Sequence, residues 1–115
     1  MEITYLLECS SREQLRGWLE ANYDKQKEVW VTIYRTKQPP LIVALPYVEC
    51  VEEALCFGWI DSTVKRLSDG RSAQRLSPRR RNSHWTECNL ARCRRLINEG
   101  RMTAAGLAQM PPTDF

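Results

Sequence analysis

The run Val29-Trp30-Val31-Thr32-Ile33-Tyr34 constrains this chain more than any other stretch. Every residue in it is β-branched or aromatic, the types that suit a pleated strand and lose rotamer freedom in a helix. Val29, Val31 and Ile33 alternate with Trp30, Thr32 and Tyr34, so bulk points to both faces. A strand of this kind belongs inside a sheet, with cover on each side. The pattern predicts a central strand over residues 28–36.

Residues 59–67 and 71–77 read as two further strands. Between them stands Ser68-Asp69-Gly70, and Asp-Gly is the strongest two-residue hairpin signal. Pro78 closes the returning strand, and Arg79-Arg80-Arg81 follow it. Helical spacing appears in four places. Ser10-Ser11-Arg12-Glu13 has the form of a capping box, and Leu15, Trp18 and Leu19 then share one face, predicting a helix over 11–23. Pro46 opens a second helix over 47–57, with Val48, Val51 and Leu55 inward and Glu49, Glu52 and Glu53 facing away. Thr86 or Ser83 caps a third, running through Asn98 with Leu90, Cys93 and Ile97 as its apolar stripe. A short helix over 103–110 ends the pattern. Ile3 to Leu7 reads as extended, and Pro39-Pro40 and Pro46 bracket Leu41 to Leu45 as an extended or looping passage.

These elements do not alternate as βαβ units. The expected fold is α+β, a small antiparallel sheet with a β-hairpin packed against three to four helices. One domain over residues 1–110 is expected, with a frayed tail over 111–115. At 115 residues, 43% of them apolar and 27% charged, the composition is that of a globular domain. The longest apolar run is five residues, far from the roughly 20 of a membrane span, so no membrane insertion is expected. The N-terminus lacks the basic start and apolar stretch of a secretory signal. Five cysteines, an odd number with no C-x-x-C pair, then read as reduced thiols in a cytoplasmic protein. Cys50, Cys56 and Cys93, set among apolar neighbours, read as small buried hydrophobes.

The formal net charge is only +3, and it is unevenly spread. Residues 1–57 carry six Lys and Arg against nine Asp and Glu; residues 58–115 carry eleven against five, ten of the eleven being arginine. An acidic half and an arginine-rich half make a dipolar surface. Guanidinium forks match phosphate and carboxylate geometry better than lysine does.

Two constellations stand out. In Gly58-Trp59-Ile60-Asp61-Ser62, a period of two puts Trp59 and Asp61 on one face of a strand. An indole beside a carboxylate suits a cation or a base edge. The structural alternative has Trp59 in the core and Asp61 capping a helix or pairing with an arginine. The second constellation is Arg75, Arg79, Arg80, Arg81, Ser83, His84 and Trp85. A basic loop feeding a helix N-terminus suits an anion, because amide hydrogens and the helix dipole add to the guanidinium charge. Trp85 stands where it could stack on a base. The alternative is a solvated loop whose arginines pair with the acids of residues 49–53.

His84, Cys88 and Cys93 do not make a zinc site by spacing. The first two share a helical face, the third falls elsewhere, and a structural site wants four ligands. No metal and no cofactor are expected. One histidine, no nucleophile elbow and no phosphate-binding glycine loop leave catalysis with little support. His84 and Asp61 would serve as an acid–base pair only if the fold joined them.

Four stretches also match a family pattern in order. They are Glu28-Val-Trp-Val-Thr-Ile-Tyr34, Glu52-Glu-Ala-Leu-Cys-Phe-Gly-Trp-Ile-Asp-Ser62, Gln74-Arg-Leu-Ser-Pro-Arg-Arg80 with Ser83-His-Trp85 and Asn89, and Gly100-Arg-Met-Thr-Ala-Ala-Gly106. In these the chain resembles the YdeI/OmpD-associated proteins, also called bacteriocin-protection proteins, of the YjbR/CyaY-like superfamily. The resemblance implies a compact α+β domain and a double-wing DNA-binding shape, with the Asp-Gly hairpin as a wing. It also implies links to envelope stress, antimicrobial-peptide resistance and an outer-membrane porin. Many members continue into a further C-terminal segment, whereas this sequence ends at Phe115.

The expected function is non-catalytic binding of an anionic partner, nucleic acid or another polyanion, through Arg75, Arg79, Arg80, Arg81, Ser83 and Trp85, with Trp59 and Asp61 nearby. A protein-interaction or stress-protection domain, with a protein partner and no nucleic acid, is the second reading. A small-ligand binder built on Trp59, Asp61 and the arginines is the third. The oligomeric state stays open.

Overall fold

The computed structural model describes residues 2–35, 43–80 and 83–111. In chain order the elements are β1 (Leu6–Leu7), α1 (Arg12–Asn22), β2 (Val29–Tyr34), β3 (Leu45–Pro46), α2 (Tyr47–Cys56), β4 (Trp59–Arg66), β5 (Ser72–Pro78), α3 (Glu87–Asn98) and α4 (Ala104–Ala108). Thr36, the Pro39-Pro40 passage as far as residue 42, Arg81 and the tail over 112–115 lie outside the described residues.

The expected α+β fold is present, and β2 is its central strand. β5 pairs with it antiparallel, Val29 opposite Leu76 and Ile33 opposite Ser72. β4 returns antiparallel on the outer side of β5. The two-residue strands β1 and β3 add to the other side of β2, and both are parallel to it. The sheet is therefore antiparallel in its long strands and mixed overall. β1, α1 and β2 form one βαβ unit that the spacing did not announce. Two leucines are too short a run to signal a strand.

Alternation along β2 sorts the core. Val29, Val31 and Ile33 join Leu76, Trp59 and the helices in one apolar cluster. Trp30 and Thr32, also fully buried, stand on the opposite face of the sheet. Helix α2 is the centre of the helical layer, touching α1, α3, α4 and strands β2, β3 and β4. With neighbours on several sides it has no polar face to spare. Val51 and Leu55 are buried as the spacing predicts, but Glu52 and Glu53 are buried beside them and Val48 is exposed, against expectation.

The caps explain where the helices start. Ser11 caps α1 by accepting from the Gln14 amide, and Gln14 Oε1 accepts in return from the Ser10 amide at 2.8 Å. The capping pair is thus Ser11 with Gln14, one residue along from the expected Ser10 with Glu13. Thr86, not Ser83, caps α3. Thr103 caps α4 and donates its hydroxyl to the Cys56 carbonyl at 2.5 Å, tying α4 to the end of α2. Gly58, at φ +76°, turns the chain from α2 into β4. A Cβ there would meet the Ala105 carbonyl at 2.9 Å, so only glycine fits both the turn and the neighbour.

Candidate functional site

Antiparallel pairing of β2 with β5 carries the residues just before Val29 alongside the end of β5. The result is a cleft of about 590 Å³ lined by Lys27, Ile60, Arg75, Ser77, Pro78, Arg80 and Ser83. Ile60, Arg75 and Ser77 share a face by register, since Ile60 pairs with Ser77. Lys65, opposite Ala73, extends the basic line along that same face toward the hairpin turn. Ile60 and Pro78 provide the apolar part of the lining.

Arg75 is held in place by three contacts. Its Nε donates to Glu28 at 2.9 Å, and its Nη1 donates to Ser62 and Ser77 at 3.3 and 3.4 Å. Lys27 and Arg80 form no ion pair among the described residues. Ser83 lines the cleft and accepts from Arg79 Nη1 at 3.0 Å.

Arg79 itself is not in the cleft. Its residue is 6% exposed, its guanidinium lies 3.7 Å from the Trp85 ring centre, and Nη1 also donates to the His84 carbonyl at 3.2 Å. Nε and Nη2 are buried without a hydrogen-bond partner among the described residues. Burial pulls this guanidinium below its ordinary value, with attraction from Cys93 and Asp61 working against the fall. The Arg79–Trp85 stack is a brace. Its backbone amide donates to the Gly58 carbonyl at 2.9 Å and anchors the segment that carries Arg80 and Ser83.

The expected site residues therefore divide. Arg75, Arg80 and Ser83 converge on the cleft. Arg81 lies outside the described residues. Trp85 gives one face to Arg79 and packs against the core, so that face does not await a base. Trp59 is 1% exposed, donates Nε1–H to the Tyr23 carbonyl at 3.2 Å and meets Trp18 edge-on. It is a core residue and does not line this cleft. Asp61 accepts from the Tyr47 hydroxyl at 3.0 Å, which fixes it against α2. Sequence reasoning missed Lys27 and Ser77; the signal was the strand register, which no local motif carries.

The acids of α2 do not serve the arginines of the cleft. Glu53, fully buried, accepts from Arg12 Nε and Nη2 at 2.8 and 2.6 Å, from Arg16 at 3.0 Å and from Arg101 at 2.9 Å. Glu52 takes Arg12 at 3.0 Å and Arg95. For Arg12 and Arg16 burial lowers the affinity for the proton, yet hydrogen bonding and attraction from Glu53 outweigh it and hold both guanidiniums above their ordinary value. This cluster joins α1, α2, α3 and the α3–α4 turn. Cys93 is buried whereas His84 and Cys88 are exposed, so those three do not converge. Among the described residues no other group of His, Cys, Asp and Glu is placed to hold a metal.

A family model described as a domain of unknown function, DUF8412, matches residues 7–109. The chain belongs to this family. No curated protein and no solved structure matches it. The DUF8412 match overturns the resemblance to the YdeI/OmpD-associated proteins. The envelope, peptide-resistance, porin and double-wing expectations fall with it. No helix among the described residues is long and apolar enough to cross a membrane.

Proposed function

We propose that this DUF8412 domain is a non-catalytic module that binds an anionic partner, nucleic acid being the case to test first, in the cleft of Lys27, Arg75 and Arg80. The observation that carries this reading is the cleft itself. Three cations from two distant parts of the chain converge on one concavity, and only Arg75 has a carboxylate partner among the described residues. A volume near 590 Å³ falls in the usual range for a ligand site. The non-catalytic part is supported by the chemistry of the lining. Among the described residues it holds ammonium, guanidinium, hydroxyl and apolar groups, with no carboxylate, imidazole or thiol to take a proton.

The test is fluorescence anisotropy with labelled duplex, single strand and an unrelated polyanion. Three cations meeting three phosphates lower duplex affinity roughly 40-fold between about 50 and 200 mM salt. Substituting Arg80 and Lys27 by alanine together flattens that dependence. Equal weak binding of all three probes, unchanged in the double variant, sinks the reading.

A further inference from the structure

The lining of the cleft narrows the chemical form of the anion. Among the described residues, every polar side chain that lines it has a hydrogen to donate. Lys27, Arg75 and Arg80 have no acceptor to offer. Ser77 and Ser83 have hydroxyls, but each oxygen already accepts from a guanidinium, Ser77 from Arg75 at 3.4 Å and Ser83 from Arg79 at 3.0 Å. A hydroxyl that accepts from a cation keeps its own hydrogen for another acceptor. A ligand group that fits is rich in acceptors and carries negative charge, so an ammonium group is poorly matched.

Charge narrows it further. Among the described residues three cations line the cleft, and Glu28 on Arg75 offsets one of them, leaving an excess of two. A phosphomonoester carries about 1.5 to 2 negative charges at neutral pH, against about one for each internal phosphodiester. Aromatic stacking adds nothing here. Trp30 and Trp59 are fully buried, Trp85 is stacked on Arg79, and among the described residues no aromatic lines the cleft. We propose that the cleft takes a phosphomonoester dianion, the terminal phosphate of a nucleic-acid strand or of a small phosphorylated molecule. This deepens the anion-binding reading and rests on it. Arg79 then acts as a positioning residue, holding Ser83 as a donor from behind.

The test compares one short oligonucleotide with a 5′-phosphate and with a 5′-hydroxyl, labelled at the 3′ end, by anisotropy at about 50 mM salt. The phosphorylated strand binds about tenfold or more tightly, since charge-assisted hydrogen bonds to a dianion are the strong ones. Arg80→Ala and Lys27→Ala, both at exposed positions, bring it down to the level of the hydroxyl strand. Displacement by a nucleoside monophosphate but not by a sugar phosphate assigns the source to nucleic acid. Equal displacement by both assigns it to phosphomonoesters at large; either result upholds the proposal. Equal binding of the two strands overturns it and leaves the polyanion reading standing. Failure of both strands to bind removes both.

Discussion

Glycine is where single residues in this fold divide most sharply. Gly17 lies in α1 with nothing within 4 Å of an added Cβ. Gly106 lies in α4, where a Cβ would stand 2.4 Å from Met102 Sδ and 2.5 Å from the Cys56 carbonyl. The methionine can move, but the carbonyl belongs to the end of α2 and also accepts from Thr103. Gly17→Ala is expected to stabilise by about 0.5–1 kcal/mol through helix propensity alone. Gly106→Ala is expected to destabilise by about 1–3 kcal/mol, the usual cost of overpacking. Urea midpoints of the two variants check this. A neutral Gly106→Ala would mean that α4 is not seated against α2. Neither role was legible beforehand, because a glycine inside a helical pattern looks the same whether its missing side chain faces water or a backbone.

At the scale of the element, the hairpin is where sequence and structure agree best, and the reason is local. Asp69-Gly70 sets the turn, and alternation sets the strands, so nothing distant was needed to place β4 and β5. What was not legible is how the turn is tied down. Arg71 is buried and reaches Asp69, Glu8 at 2.5 Å and the Val43 carbonyl at 2.7 Å, joining the turn to the segment before α1. Inside the hairpin the ladder slips between Asp61 and Val64, and Gln74 Nε2 donates to the Ser62 and Thr63 carbonyls that the slip frees. Hydrogen bonds from the Arg71 side chain and amide hold the Asp69 carboxyl below the usual carboxylate range. A depressed folded-state value gives stability that is present above the ordinary value of about 3.9 and is lost as pH falls through the lower one. The gap in urea midpoint between wild type and Asp69→Asn is therefore expected to stay level from pH 7 to about 4 and to narrow below that. A gap that persists at the lowest pH where the protein folds would remove the ion pair as its source. The cleft shows the same division. Arg75, Arg80 and Ser83 were visible as a basic, hydroxyl-bearing stretch, while Lys27 arrives only through the pairing of β2 with β5.

At the scale of the whole molecule, the two glutamates of α2 tie together α1, α2, α3 and the turn before α4. Charged residues read as solvent-facing because isolated ones are costly to bury; here Arg12, Arg16, Arg95 and Arg101, far apart in the chain, converge on them. Removing one partner of a buried pair usually costs 3–5 kcal/mol. The arginines on Glu53 keep between 21% and 28% exposure, so for Glu53→Gln roughly 2–3 kcal/mol is the expected loss. The cysteines report whether that loss is shared by the whole layer. Cys88 is exposed, whereas Cys9 before α1, Cys50 and Cys56 on α2, and Cys93 on α3 are buried. Burial raises the Cys9 and Cys56 thiols to about 11 and Cys50 further still. These thiols are shielded and protonated at once, and only an opened chain exposes them as reactive thiolate. A thiol reagent at neutral pH is expected to modify exposed Cys88 first and the four buried cysteines together, in a single slow phase. Glu53→Gln accelerates that phase roughly 30- to 150-fold, the loss above expressed as an opening equilibrium, and leaves the Cys88 rate unchanged. If Cys9 reacts ahead of the other three, the segment before α1 opens on its own, and the charge cluster ties together only the helices it touches.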